Sequence, residues 1–190
     1  MQPFKHLFQY QRLRLSAPRP EDNDLMARWT EDGEFQRQMD TDFARPCTPA
    51  NVIPDGQADR GPQNVYFHLR TTADDQMIGF IALFNIEWNN GNAVLAMGLG
   101  GPENRGQGYG LEALALMLNY AFYELNLHRV SLNVIGDNHR AIHAYEKAGF
   151  KEEGHIRQAV QRDGQRHDLI WMGILRDEWL QIDHLPLDAN

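Results

Sequence analysis

Residues able to do chemistry gather in two stretches of the chain. The first is Gly100-Gly101-Pro102-Glu103-Asn104-Arg105-Gly106-Gln107-Gly108-Tyr109-Gly110, which sets glycines around one arginine between a strand-like run and a helix-like run. Glycine has no Cβ, so its backbone N–H can approach a ligand closely. These N–H groups stand at the start of a helix, where the macrodipole favours an anion. The matching chemistry is the binding of a phosphate or diphosphate, with Arg105 adding a charge-assisted contact. In the second stretch, Asn138, Ala141 and Tyr145 fall at i, i+3 and i+7, on one helical face, and Gly149-Phe150 follows.

Several phosphate-binding patterns fail here. Gly101 and Gly106 have the Walker spacing, but Gln107-Gly108 stand where lysine and a hydroxyl are needed. The dinucleotide pattern G-x-G-x-x-G meets Leu111 after Gly106 and Gly108, and Glu103 after Gly98 and Gly100. Nucleotide hydrolysis and nicotinamide binding thus lose their main support. Arg105-x-x-Gly108-x-Gly110 remains, although a tight strand-to-helix turn alone would use one or two such glycines. His139 and His143 have a metal-like spacing, but no glutamate follows His139 and no third ligand is evident. No metal is expected, and a solvated face explains the pair. Cys47, between Pro46 and Thr48, has no activating neighbour in sequence, which speaks against a covalent acyl-cysteine.

The elements that must position these residues can be read in outline. Arg12 to Ser16 alternates like a half-buried strand, and Pro18 and Pro20 end it. Asp22 or Asp24 can cap a helix covering Leu25, Met26 and Trp29. Residues 40–64, rich in proline, read as a long loop with at most one helical turn, the kind of segment that forms lids and binding walls. Val65 to Arg70, Met77 to Trp88 and Ala93 to Leu99 read as a meander, with Asn89-Asn90-Gly91-Asn92 as a hairpin turn. Leu111 to Leu125 has the spacing of a long amphipathic helix. Val130, Leu132 and Val134 alternate as a strand, and Asn138 is placed to cap a helix through Ala148, with Gly149 just beyond. Asp163-Gly164 closes a hairpin between strands near 155–161 and 166–175. The β-α-β crossover requires a parallel strand pair within a mixed sheet.

A chain of 190 residues is about one domain long and can bury a core without staples. The single cysteine excludes an intrachain disulfide. No run approaches the ~18 apolar residues of a membrane span, and no leader-like apolar region opens the chain, so a cytoplasmic setting is expected. The net charge of −8 repels nucleic-acid backbones and attracts cations such as amines and polyamines, although such charge also simply serves solubility. Arg157, Arg162 and Arg166 near the last hairpin pull the other way.

In its two stretches the sequence resembles the GNAT acetyl-CoA-dependent N-acetyltransferases. The resemblance rests on Arg105-Gly106-Gln107-Gly108-Tyr109-Gly110 followed by Glu112-Ala113, then Asn138-x-x-Ala141-x-x-x-Tyr145-x-x-x-Gly149-Phe150. Arg12-Leu-Arg-Leu, Arg19-Pro-Glu-Asp22 and the run from Asp168 to Trp179 look like the RimJ/RimL branch, which acetylates protein N-termini, amino acids, aminoglycosides or polyamines. The likeness covers roughly residues 10–180 as one domain, leaving 181–190 as a tail. It implies an α/β fold, a mixed and mostly antiparallel sheet with a central splayed parallel strand pair flanked by helices.

By the same resemblance, Arg105 to Gly110 cradle the diphosphate of acetyl-CoA. Leu99 and Gly100 offer backbone to its pantetheine arm, and Asn138 and Ala141 contact that arm. Tyr145 protonates the departing thiolate. Gly98, Gly100 and Gly101 replace bulkier residues usual in the family, which predicts a looser strand end and a wider acyl pocket. For the base the choice stays open. Glu112 lies in the first helical turn and also suits the helix dipole; Glu87 is a second carboxylate, and Ser131 or Asn133 could order a water. Partners implied are a peptide or small-molecule amine, with no nucleic acid and no membrane; a homodimer is the commonest assembly. A domain that only senses acyl-CoA or scaffolds a partner would share the binding motifs but would have no need of Tyr145.

Overall fold

The structure, a computed structural model, describes residues 3–52 and 61–182. Part of the expected 40–64 loop and most of the expected tail lie outside these residues. One eight-stranded sheet runs β1(Gln9–Tyr10), β2(Leu13–Ser16), β3(Val65–Thr71), β4(Met77–Glu87), β5(Asn92–Leu99), β6(Arg129–Ile135), β8(Gln165–Leu175), β7(Lys151–Arg162). Every neighbouring pair is antiparallel except β5 and β6. The helices are α1(Asp22–Trp29), α2(Gly33–Met39), α3(Tyr109–Asn119), α4(His139–Lys147) and α5(Arg176–Leu180). The meander, the β-α-β-α unit and the closing hairpin thus stand where the sequence places them. Asp163 and Gly164 both take positive φ at that hairpin's tip, as a two-residue turn of this kind requires.

The centre of the sheet is only partly closed. β5 and β6 pair at Asn92–Arg129, Ala93–Val130 and Val94–Ser131, and no further. β5 stays on β4 up to Gly79–Leu99, and β6 stays on β8 over its whole length. Each strand is therefore held by its outer neighbour while the two diverge, leaving β5 with an open edge from Leu95 to Leu99.

Alternation along β5 sorts the helices. Met97 and Leu99 approach Gly110 at the start of α3, whereas Gly98 and Gly100 meet Met39 of α2 and Trp29 of α1. Hence α3 covers one face and α1 and α2 the other. The sequence predicts an amphipathic helix to Leu125. Instead α3 is buried on all sides from Leu111 to Asn119 and then passes into one π-helical turn, Tyr120–Glu124. The amino-terminal segment covers its outer side, with Phe4 N–H donating to Asn119 Oδ1 at 3.0 Å.

Neither Asp22 nor Asp24 caps α1: Glu21 holds the cap position, with no side-chain hydrogen bond. Asp22 is buried and meets two residues of β3. It accepts from Arg70 and lies 2.7 Å from Nδ1 of His68, whose side chain is fully buried. Burial opposes the charge on Asp22, but hydrogen bonds from Arg70 and His68 hold its carboxyl below the usual range. Burial pushes the His68 imidazole down, so it is neutral in the fold. This cluster fixes α1, and with it Trp29, against the sheet. Arg70→Met should cost about 3–5 kcal/mol in chemical denaturation, because an unpaired carboxylate stays buried. Unfolded His68 takes up a proton below about pH 6.5 that the folded protein does not. Thermal stability should therefore fall as pH drops from neutrality towards 5, and His68→Gln should flatten that part of the curve.

Candidate active site

The glycine-rich turn is built by strain that only glycine tolerates well. Gly106 has φ +72 and Gly108, the residue before α3, has φ +81. Leu111 and Glu112 N–H groups donate to Gly108 O, which starts the helix. On the outer side Arg12 holds the turn. Its guanidinium lies 4.6 Å over the Tyr109 ring, donates to Gln107 O at 2.8 Å and to Glu112 Oε1 at 2.6 Å from Nε, while its backbone N–H reaches Glu112 Oε2. Upstream, buried Asn104 donates to Gly100 O at 2.7 Å.

On the inner side Gly106, Gly108 and Gly110 line a cavity of about 260 Å³, together with Met97 and Leu99 of β5 and Asn138, Ala141 and Tyr145 of α4. Asn138 also caps α4, its Oδ1 accepting from Ala141 N–H at 3.1 Å. A second cavity of about 280 Å³ fills the opening between the diverged strands, bounded by Val94 to Met97, Asn133 to Ile135, Asp40 and Thr41. Five residues line both: Gln38, Met39, Met97, Asn138 and Tyr145. Tyr145 is thus at the junction, its ring edge-on to Phe150. Burial pushes its phenol up to about 12, so it is a neutral donor at any working pH. At the same junction Gln38 Oε1 is buried with no hydrogen-bond partner among the described residues.

Other expected residues are elsewhere. Tyr109 and Glu112 face Arg12, which also takes the carbonyl of Gln107, and none of the three lines the cavity. Glu112 is 2% exposed and fully engaged there, which removes it as a base and makes it an anchor of the turn. Gly100 does not line the cavity: its N–H donates to Ile78 O and its carbonyl accepts from Asn104, so it has no free backbone for a ligand. Gly100 does not widen an acyl pocket either. A methyl at Gly100 would fall inside the Trp29 ring, and one at Gly98 would lie 2.6 Å from Met39 Sδ. Gly100 thus admits a helix, not substrate, while Gly98 makes room for Met39 and also lines the cavity. Arg105 reaches the cavity, but its guanidinium pairs with Asp32 at 2.6 Å and Glu34 at 3.6 Å. Glu87 accepts from Asn90 in the hairpin turn, Ser131 donates to Ala93 O, and only Asn133 of the three further candidates lines a cavity.

Sequence reading missed α2, which supplies Gln38 and Met39. Its signal was Asp32, whose side chain accepts from Glu34 and Phe35 N–H groups, before Phe35 and Met39 at i and i+4. Among the described residues no three His, Cys, Asp or Glu stand close enough to share a metal, and no helix is long and apolar enough to cross a membrane.

A glycine-rich turn at a helix start, a splayed parallel pair and a tyrosine where two cavities meet are brought together in one site. Residues 12–151 match the acetyltransferase (GNAT) domain family, and the chain belongs to that family. It is 33% identical over 108 residues to a spermidine N(1)-acetyltransferase of Vibrio cholerae, covering 57% of this chain and 62% of that one. A prophage-derived uncharacterized N-acetyltransferase of Bacillus subtilis, YokL, is 28% identical over 173 residues, covering 90% and 94%. The crystal structure of the Vibrio cholerae spermidine N-acetyltransferase with CoA and spermine superposes with a TM-score of 0.79 at 24% identity, covering 90% of this chain and 99% of that one.

Gly100→Ala separates the two readings of the glycines. Collision with Trp29 should destabilise the protein by at least about 1–3 kcal/mol in denaturant titration. A Gly100→Ala protein of normal stability with an altered preference for acyl length would restore the pocket reading.

Proposed function

We propose that the protein transfers an acetyl group from acetyl-CoA to a primary amine within a ternary complex. The observation carrying this is Tyr145 between two cavities, one walled by the phosphate-binding turn and one opening between the strands. In this reading the amides of Gly106 and Gly108 at the start of α3 hold the diphosphate. The pantetheine arm lies along the open edge of β5 as an added strand, with Leu99, Asn138 and Ala141 beside it. The amine enters from the second cavity. Its nitrogen attacks the thioester carbonyl, the C–S bond breaks, and the proton released from nitrogen goes to solvent.

Tyr145 donates its hydrogen bond to the leaving sulfur. A phenol near 12 is a weaker acid than a solvated thiol, at about 8.5, so full proton transfer needs the thiolate to be desolvated in the same junction. The amine carries its charge past Asp40 and Thr41 and finds a neutral acceptor in Gln38 Oε1. Relatives named for spermidine support a polyamine among the candidate amines, as does the net charge of −8. The RimJ/RimL likeness keeps protein N-termini in the set. We carry forward a cytoplasmic homodimer on general grounds of assembly.

Thiol release from acetyl-CoA, measured over polyamines, peptide N-termini and aminoglycosides, should detect at least one good acceptor. Tyr145→Phe should then lower kcat by roughly 10²-fold or more while the KM for acetyl-CoA stays within about twofold. Tight CoA binding without thiol release on any amine would favour the sensor over the enzyme.

A further inference from the structure

The donor cavity has a rim that the proposed chemistry does not use. From Tyr145 and Ala141 it extends round α4 over Ala144 to Arg140, His143 and Lys147, all of which line it. On a helix surface positions 140, 143, 144 and 147 are the corners of one diamond, each three or four residues from its neighbours. Three corners are basic side chains, and the fourth, Ala144, offers only a methyl as floor between them. Arg140 and Lys147 have no ion pair among the described residues, and His143 lies 3.8 Å from Glu146. Elsewhere the described basic side chains divide: some, such as Arg157 and Arg166 at the last hairpin, are also without an ion pair, and others are held by carboxylates. Arg12, Arg14, Arg19, Arg37, Arg70, Arg105, Arg129 and Lys151 all meet carboxylates. What sets Arg140 and Lys147 apart is their place: they stand with His143 on one rim of a cavity whose lining contains no Asp or Glu, which marks a place for an external anion.

CoA brings two separate phosphate centres. The diphosphate suits the amides of the glycine-rich turn on the opposite wall, where Arg105 is already neutralised by Asp32 and Glu34. The ribose 3′-phosphate is a terminal monoester carrying −1.5 to −2 charges, which dipoles alone satisfy poorly and mobile cations suit well. Resting on the donor assignment above, we propose that Arg140, His143 and Lys147 form a subsite for the 3′-phosphate, so that the protein selects CoA over 3′-dephospho-CoA. Lys147 is half-buried and is the principal contact; Arg140 and His143 are exposed and close the mouth.

Calorimetric titration of the full chain with CoA and with 3′-dephospho-CoA tests this. The unaltered protein should bind CoA about tenfold tighter at low salt, the size expected of a partly screened pair of charged contacts, and the ratio should shrink as salt rises. In the double variant Arg140→Gln/Lys147→Met the ratio should fall below about twofold through loss of CoA affinity, with 3′-dephospho-CoA bound as before and the melting temperature unchanged. Equal binding of both compounds by the unaltered protein would overturn the subsite. Equal weakening of both in the variant would overturn it too and assign these cations to the diphosphate. Binding of neither compound by the folded protein would remove the donor assignment itself and the subsite with it, a result distinct from the other two.

Discussion

Beyond Val94 the middle of the sheet leaves a strand edge without a neighbour, and buried backbone amides and carbonyls do not remain unpaired cheaply. An ordinary sheet would close there. This one cannot, because β4 holds β5 and β8 holds β6 along their lengths while their directions diverge. The wedge so formed suits the pantetheine arm of the proposed donor, an extended and amide-bearing chain. The rest of the site is arranged around that wedge. In the proposed reading the turn at its end presents amides to the phosphates; α4 and its cap bring Asn138, Ala141 and Tyr145 to one side, and α2 roofs the far end.

The roof is held in a different way from the walls. α3 is packed into the core, but α2 has no buried residue at all. Arginines secure it at both ends. Arg105, from the glycine-rich turn, pairs with Asp32 and Glu34; Arg162, from the β7–β8 hairpin, donates to the carbonyls of Asp40 at 2.7 Å and Asp42 at 3.2 Å; and Arg37 of α2 pairs with Asp163 at the hairpin tip. Exposed pairs of this kind contribute about 1 kcal/mol or less each. Thus α2 belongs to the low-stability end of the molecule, where elements that adjust to ligands are usually found. Of the three arginines near the hairpin that in sequence argue against a cationic acceptor, Arg162 is engaged in this anchoring.

Motifs with a fixed local geometry were legible in the chain, and those dependent on partners were not. Asn138 reads as a cap and is one, because capping is a contact over three residues. The glycine-rich turn reads correctly since its positive φ angles demand glycine. Gly98 and Gly100 carry the same letter for another reason, the close approach of Met39 and Trp29, which lie far away in sequence. Glu112 failed likewise. A carboxylate in a first helical turn looks free until Arg12, a hundred residues earlier, is seen to hold it. Asp22, taken for a cap, is claimed by β3. Helix α2 was hidden because its seven residues offer a single apolar pair, Phe35 and Met39, too short a pattern to stand out beside the longer run of α4.

Losing Glu112 as a base changes what the site must do about the acceptor's proton. An alkylammonium with a pKa near 10.4 is neutral in only about one molecule in 10³ at pH 7. A carboxylate beside it would stabilise the charged form and raise that pKa further. The junction has the opposite character: Met39 and Met97 are apolar, Gln38 and Asn138 are neutral, and Tyr145 is an uncharged phenol. Desolvation there disfavours the ammonium and so lowers the cost of losing its proton. Asp40, at the outer cavity, can attract the cation without following it inward. In the proposed reaction, separating attraction from deprotonation in this way would let an acidic protein gather amines and still present them as nucleophiles, with no carboxylate among the described residues shared by the two cavities.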